Sequence, residues 1–135
     1  DDVSGMPKFD EIKGKILELL DGSYLLAHNV SVERKMLSRK LSEWKPEGYI
    51  DTLRLSRILL PEIGSHSLTS LVKCLNLDIA IAGKVETGPH RAKYDSLATA
   101  YLFCELSKLA KFKNINIESF ISNDDDLEDR QLSLF

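Results

Sequence analysis

The chain has 135 residues, of which 43% are hydrophobic and 29% are charged, as in one soluble globular domain. Its formal net charge of −3 excludes a uniformly basic nucleic-acid binder, so contact with nucleic acid would depend on a local patch. We find no secretory signal and no run of about 18 apolar residues, and we therefore expect a cytoplasmic protein without a membrane span.

The hydrophobic pattern predicts helices separated by two short strands. In chain order we predict a helix over 9–20, a strand over 24–27 and a helix over 31–44 with Ser31 as N-cap. A strand at 49–50 follows, then a helix to residue 60 capped by Asp51 or Thr52, and a helix from Ser67. We predict a loop over 78–88 and a long helix over 91–112. Cys74 and Cys104 lie in apolar periodic segments and are predicted to be buried thiols.

The first motif is Ala27-His28-Asn29-Val30-Ser31-Val32-Glu33. It joins the end of the first predicted strand to the next helix through a polar turn at His28 and Asn29. In open α/β folds, polar groups at the carboxyl end of a strand are where sites form.

The second motif is His90-Arg91-Ala92-Lys93-Tyr94-Asp95, at the start of the longest predicted helix. His90 lies at the mouth of this helix and Asp95 lies one turn inside it. The spacing can place an imidazole and a carboxylate at one site.

In this order and on this α/β pattern, the motifs resemble the second and third motifs of the DEDD-type 3′–5′ exonuclease superfamily, over roughly residues 3–112. The superfamily has a ribonuclease H-like fold and includes the epsilon proofreading subunit of bacterial DNA polymerase III. Val32 and Glu33 stand where the second motif usually has Phe and Asp, and Ser96 replaces the final Ala of the third motif.

The resemblance implies hydrolysis of the 3′-terminal phosphodiester of DNA with two Mg²⁺ or Mn²⁺ ions. Glu33 and Asp95 would be metal ligands, since hard cations take carboxylate oxygens. His90 would be the general base. His28 and Asn29 would lie beside the substrate strand.

The superfamily's first motif, Asp-x-Glu on an initial strand, has no counterpart before residue 23. The chain has one Asp-x-Glu, at Asp126-Leu127-Glu128, which we attribute to the acidic composition of that segment. We therefore expect a fold without its first three strands and a two-metal site that this chain leaves incomplete. The family sheet has strand order 3-2-1-4-5, so the resemblance implies that strands 24–27 and 49–50 remain as a parallel pair. Strand 24–27 would then have an exposed edge, and we expect instability or self-association through it.

The last five residues, Gln131-Leu132-Ser133-Leu134-Phe135, resemble the peptide that binds the bacterial sliding clamp. Three apolar side chains would anchor this peptide in a groove, and the acidic run over 123–129 would tether it. We therefore expect an exonuclease-like domain over 1–113 followed by a tail over 114–135. A frayed amphipathic terminus is the alternative.

Three functions remain open. The first is a proofreading DNA exonuclease that serves a replicative DNA polymerase and is tethered to the sliding clamp. The second is a catalytically inactive or truncated exonuclease fold that acts as a clamp-binding adaptor, which the missing Asp-x-Glu and the replacement at Glu33 favour. The third is an RNA-trimming exonuclease with the same site, which the clamp-like tail disfavours.

Several of these residues also have a purely structural interpretation. Glu33 fits a solvated glutamate in the first turn of a helix, and His-Asn suits any turn. We interpret His66 as a loop residue with no catalytic role. The basic residues of helix 31–44 are interpreted as a solvated face: Arg34, Lys35, Arg39 and Lys40.

Overall fold

The computed structural model describes residues 4–85, 88 and 91–124. The elements are α1 (Phe9–Leu20), β1 (Leu25–Ala27), α2 (Val30–Lys40), β2 (Tyr49–Asp51), α3 (Thr52–Leu59), α4 (Leu68–Cys74), α5 (Asp78–Ile81), α6 (Ala92–Phe112) and a 3₁₀ helix (Ile117–Phe120). The predicted α/β class with a helix-rich chain is confirmed. None of the helices within the described residues is long and apolar enough to cross a membrane.

The two strands form a parallel pair, as predicted, with α2 as the connection between them. The register pairs Leu25 with Tyr49 and Ala27 with Asp51. Among the described residues, β2 is the one strand that pairs with β1. Self-association through the other edge of β1 stays a prediction.

The main core lies between α6 and the three helices that precede it in the chain. Its buried residues are Leu55, Leu59, Leu71, Val72, Leu77, Ile81, Ala98, Leu102, Leu106 and Ala110. A second, smaller cluster of Ala27, Val30 and Tyr49 joins the strands to α2. The sheet edge is therefore held between α2 and the helical core.

Two predicted boundaries of α2 were wrong. The helix begins at Val30, with Asn29 and not Ser31 at the N-cap position, because its first N–H groups find an acceptor on β2. It ends at Lys40 instead of residue 44. Leu41 leaves the helical conformation and is buried, and the Trp44 indole donates to the carbonyl of Leu20 at 2.9 Å.

Two further expectations are corrected by packing. The predicted loop over 78–88 contains α5, a single turn whose Ile81 joins the main core, and so short an element has too little periodicity to detect. Cys74 and Cys104 are exposed thiols, because they lie on the solvent side of α4 and α6.

The segment after α6 returns to the sheet. The 3₁₀ helix packs on α6, and Ser122 then forms an antiparallel bridge with Tyr49. The Tyr49 N–H donates to the Ser122 carbonyl at 2.9 Å, and the Ser122 N–H donates to the Tyr49 carbonyl at 3.0 Å. The division of the chain after residue 113 stays a prediction, and its described continuation packs against β2.

Candidate active site

The carboxyl ends of β1 and β2 lie side by side, because the parallel register pairs Ala27 with Asp51. After β1 the chain turns through His28 and Asn29 into α2, whereas Thr52 begins α3 directly after β2. The polar turn of the first motif therefore lies at the edge where sites form in open α/β folds.

Asp51 caps two helices at this edge. Its Oδ1 accepts hydrogen bonds from the backbone N–H groups of Leu53 at 2.9 Å, Arg54 at 3.3 Å and Asn29 at 3.1 Å, and its Oδ2 accepts one from Val30 at 3.3 Å. The first N–H groups of a helix have no partner inside the helix. One carboxylate thus satisfies the first N–H groups of both α2 and α3. The sequence indicated Asp51 as a cap of α3 only.

Both ring nitrogens of His28 are hydrogen-bonded within the protein. Nε2 lies 2.9 Å from the carbonyl of His66, and Nδ1 lies 3.0 Å from Oγ1 of Thr52. Because a carbonyl only accepts, Nε2 donates to it. Oγ1 of Thr52 also donates to the carbonyl of Ala27 at 3.3 Å, so in the neutral ring Nδ1 and that carbonyl share the one hydroxyl hydrogen. His28 therefore ties β1 to α3 and to the loop before α4, and a substrate contact would require one bond to be exchanged.

His66 has a structural role that the sequence did not indicate. Its carbonyl accepts from His28, and its Nδ1 lies 3.0 Å from Oγ of Ser56, which is buried. The link spans 38 residues between His28 and His66, so local sequence patterns carry no signal for it.

Burial is the main influence on the pKa of His28 and lowers it below the ordinary histidine value of about 6.5. The hydrogen bond to His66 and the negative charges of Asp51 and Glu33 raise this pKa but do not outweigh burial. Burial therefore shifts His28 of the folded protein toward the neutral ring.

This lowered pKa predicts a loss of stability in mild acid. The unfolded chain binds a proton at His28 near pH 6.5, before the folded protein does, so the contribution of His28 to stability is present above that pH and is lost as the pH falls toward the folded pKa. We expect the unfolding free energy from urea titrations to fall more between pH 7.5 and 5.5 in the parent chain than in His28→Gln. Parallel pH dependences for the two proteins would contradict the role of His28.

Asn29 has a left-handed backbone, with φ 75° and ψ 66°. Asn adopts this conformation more readily than most other residues. Its side chain is exposed, and its Oδ1 accepts a hydrogen bond from Ser31 Oγ at 2.8 Å. Asn29 is thus presented to solvent beside the edge, and its place near a substrate strand stays a prediction.

Glu33 lies in the first turn of α2, and one of its carboxylate oxygens is unusual. Oε2 is buried and has no hydrogen-bond partner among the residues that the structure describes. Glu33 lies near enough to His28 to raise the pKa of that imidazole. Buried polar atoms in native proteins are nearly always paired, and a cation, a proton or an ordered water would satisfy this oxygen. Glu33 therefore fits the part of a metal ligand.

Asp95 lies in the first turn of α6 and is half-buried, and its backbone N–H donates to the carbonyl of Arg91 at 2.9 Å. Within residues 4–85, 88 and 91–124, no three His, Cys, Asp or Glu side chains form a group that could hold a metal ion. Glu33 fits a cation by its chemistry, but these ranges alone do not complete a metal centre. His90 and the clamp-like peptide 131–135 lie outside the described residues.

A model of the family described as exonuclease matches residues 1–103, which is most of the chain. The chain belongs to the exonuclease family. The resemblance predicted from the two motifs is thereby confirmed, and with it the ribonuclease H-like class of the fold. No solved structure gives a significant match.

The exonuclease-family chain is also similar to large bacterial replication proteins. It is 33% identical over 112 residues to the DNA polymerase III PolC-type of Bacillus cereus, a match that covers 80% of this chain and 7% of that protein. It is 32% identical over 127 residues to the protein of the same description from Oceanobacillus iheyensis, with 91% of this chain and 8% of that protein covered. For the Staphylococcus epidermidis protein the identity is 29% over 133 residues, covering 93% and 9%. The chain spans less than a tenth of each relative.

Proposed function

We propose that this chain forms part of a metal-dependent 3′–5′ exonuclease of the proofreading type, acting on DNA in replication. The family match and the similarity to PolC-type polymerases support the reaction and the substrate. The observation that carries the proposal is the buried Oε2 of Glu33, on the second motif, which has no hydrogen-bond partner in the described part of the chain. A cytoplasmic location and association with a replicative polymerase would follow from this function.

In this proposal Glu33 and Asp95 would hold Mg²⁺ or Mn²⁺, with further ligands from outside the described residues. The bound ion would supply Lewis-acid stabilisation of the scissile phosphate and a nucleophile at neutral pH. His90 would accept the proton of the attacking water. Asn29 would contact the substrate strand from its exposed position, and His28 would hold the turn in place.

The direct test is degradation of a 5′-labelled single-stranded DNA oligonucleotide with Mg²⁺ or Mn²⁺, comparing the chain with Asp95→Ala. We expect the variant to lose activity by at least about 100-fold, since a metal ion contributes several kcal/mol to the transition state. Asp10→Ala is a matched control, because Asp10 is an exposed acid in the first turn of α1. Equal activity in all three proteins would overturn the assignment of Asp95. Inactivity of all three would favour the second candidate.

The second candidate is a clamp-binding adaptor on an inactive exonuclease fold. It is favoured by the lack of a complete metal group among the described residues and by the sequence of the last five residues. A clamp tether is compatible with both candidates. We expect deletion of residues 131–135 to abolish binding to a bacterial sliding clamp in surface plasmon resonance, with the nuclease rate on free oligonucleotide unchanged. Full clamp affinity after the deletion would remove the tether from both candidates.

A further inference from the structure

An open groove of about 560 Å³ runs along α2 and reaches the strand residues Leu25 and Tyr49. We call it the α2 groove. Its lining residues are Leu25, Ser31, Arg34, Lys35, Leu37, Ser38, Ser42, Trp44, Lys45, Pro46, Tyr49 and Asp124. The volume lies in the range of sites that hold small ligands.

The α2 groove begins next to the turn of the candidate active site. Ser31 lines its upper end, and the Ser31 hydroxyl donates to Oδ1 of Asn29 at that site. From Ser31 to Ser38 the groove follows α2 for roughly 10 Å at 1.5 Å per residue. A strand whose 3′ end lay at the active site would meet this groove on leaving it.

Three cations and an aromatic ring give the groove its chemistry. Arg34, Lys35, Lys45 and Trp44 all line it. Cations that alternate with aromatic rings are the usual composition of grooves that hold single-stranded nucleic acid. Arg34 and Lys35 of α2 therefore line a groove, and they are not only part of a solvated face.

An anion already occupies the middle of the α2 groove. Oδ1 of Asp124 accepts a hydrogen bond from Arg34 Nε at 3.0 Å and another from the Tyr49 hydroxyl at 2.7 Å. The Arg34 guanidinium also lies over the Tyr49 ring, 5.8 Å from its centroid. The Asp124 side chain is 51% exposed, so an anion from solvent can reach the same donors. Guanidinium and hydroxyl donors bind phosphate oxygens as readily as carboxylate oxygens.

We propose that the α2 groove binds the phosphodiester backbone of the single DNA strand whose 3′ end lies at the active site. A phosphate displaces Asp124 from Arg34 and Tyr49, and Lys35 and Lys45 contact the neighbouring phosphates. This inference rests on the proposed function for its choice of DNA. Charge complementarity, the contact of Ser31 with Asn29 and the anion-binding donors around Asp124 support it.

The test is fluorescence anisotropy with a 5′-fluorescein-labelled oligothymidine in EDTA and low salt, where binding is measured without hydrolysis. We expect Arg34→Gln to weaken binding roughly threefold to tenfold and to lower the slope of log K against log salt by about 1. Lys73→Gln is the matched control, because Lys73 is an exposed cation on α4 outside the groove. Equal losses in the two variants would overturn the proposal.

Removing the negative charge of Asp124 should have the opposite effect and strengthen DNA binding. Asp124→Asn is expected to strengthen binding roughly threefold, whereas Glu118→Gln, an exposed acid on the same segment, is expected to change it little. Because Asp124 occupies both Arg34 and the Tyr49 hydroxyl, the effect of Asp124→Asn should vanish only in a background that carries Arg34→Gln and Tyr49→Phe together. Strengthening that survives in full in that double background would show a general field effect and overturn the proposal.

The competing occupant is the chain's own acidic run. If substituting the carboxylates of 125–129 by amides strengthens binding while Asp124→Asn does not, the tail and not DNA is the natural ligand of the groove, and the proposal fails. Because all binding is measured in EDTA, an inactive but tightly binding chain would refute the exonuclease function and leave the groove assignment intact.

Discussion

Asp51→Ala is expected to lower the unfolding free energy by roughly 2–4 kcal/mol, about twice the loss of an ordinary N-cap. The reason is that its carboxylate accepts four backbone N–H groups from two helices. Alanine would leave the starts of α2 and α3 without an acceptor in a partly buried place, where water replaces the lost bonds poorly. Urea unfolding followed by circular dichroism measures the loss.

Two further variants test whether Asp51 stabilises the starts of two helices or of only one. Ser67→Ala removes an N-cap that accepts one backbone bond, from Ser70 at 3.2 Å, and is expected to cost about 1 kcal/mol. Asp51→Asn keeps an acceptor at Oδ1 but turns a donor toward the Val30 N–H, so an intermediate loss is expected. A loss for Asp51→Ala no greater than that for Ser67→Ala would show that the second cap contributes nothing.

The arrangement around Asp51 also explains how the edge is organised for chemistry. All four hydrogen bonds that this carboxylate accepts come from backbone N–H groups, three at Oδ1 and one at Oδ2. Asp51 is therefore suited to fixing the first turn of α2. Glu33, in that same turn, has the oxygen that is left without a partner.

Sequence reasoning succeeded where the signal is local. The strand, polar turn and helix around His28 follow from a short apolar run and the residues next to it, and the helix starts at Ser67 and Asp51 follow from residue types that cap. The parallel pairing of the strands followed from the resemblance, and the structure confirms it.

Sequence reasoning failed where the partner is distant in the chain. Asn29 takes the N-cap position of α2 because Asp51, 22 residues away, accepts its N–H. Arg34 and Asp124 are 90 residues apart in the chain, so the sequence did not predict their contact. It indicated a solvated cation for Arg34 and an acidic tail for the segment that begins near Asp124. Such pairings depend on the tertiary fold, and a single sequence shows only that both residues are polar.

Glu33→Gln is expected to be at least as stable as the parent chain without metal and less stable than the parent chain with metal. Without metal, the parent chain carries a buried carboxylate oxygen that no group satisfies, a cost of about 1–3 kcal/mol. Glutamine has no negative charge to desolvate, and its amide can be placed to donate or to accept. In EDTA we therefore expect Glu33→Gln to equal or exceed the parent chain in unfolding free energy.

With Mn²⁺ the order should change. Ligand binding to the native state alone stabilises it by about 2.7 kcal/mol at a hundred times the dissociation constant. We expect this gain in the parent chain, a much smaller one in Glu33→Gln, and the full gain in Glu18→Gln, a control at an exposed position of α1. If Mn²⁺ stabilises the parent chain and Glu33→Gln equally, the unpaired oxygen is a defect of packing, and Glu33 is not a metal ligand. If EDTA reveals no difference between them but Mn²⁺ does, the oxygen is hydrated in the free protein and still binds the ion.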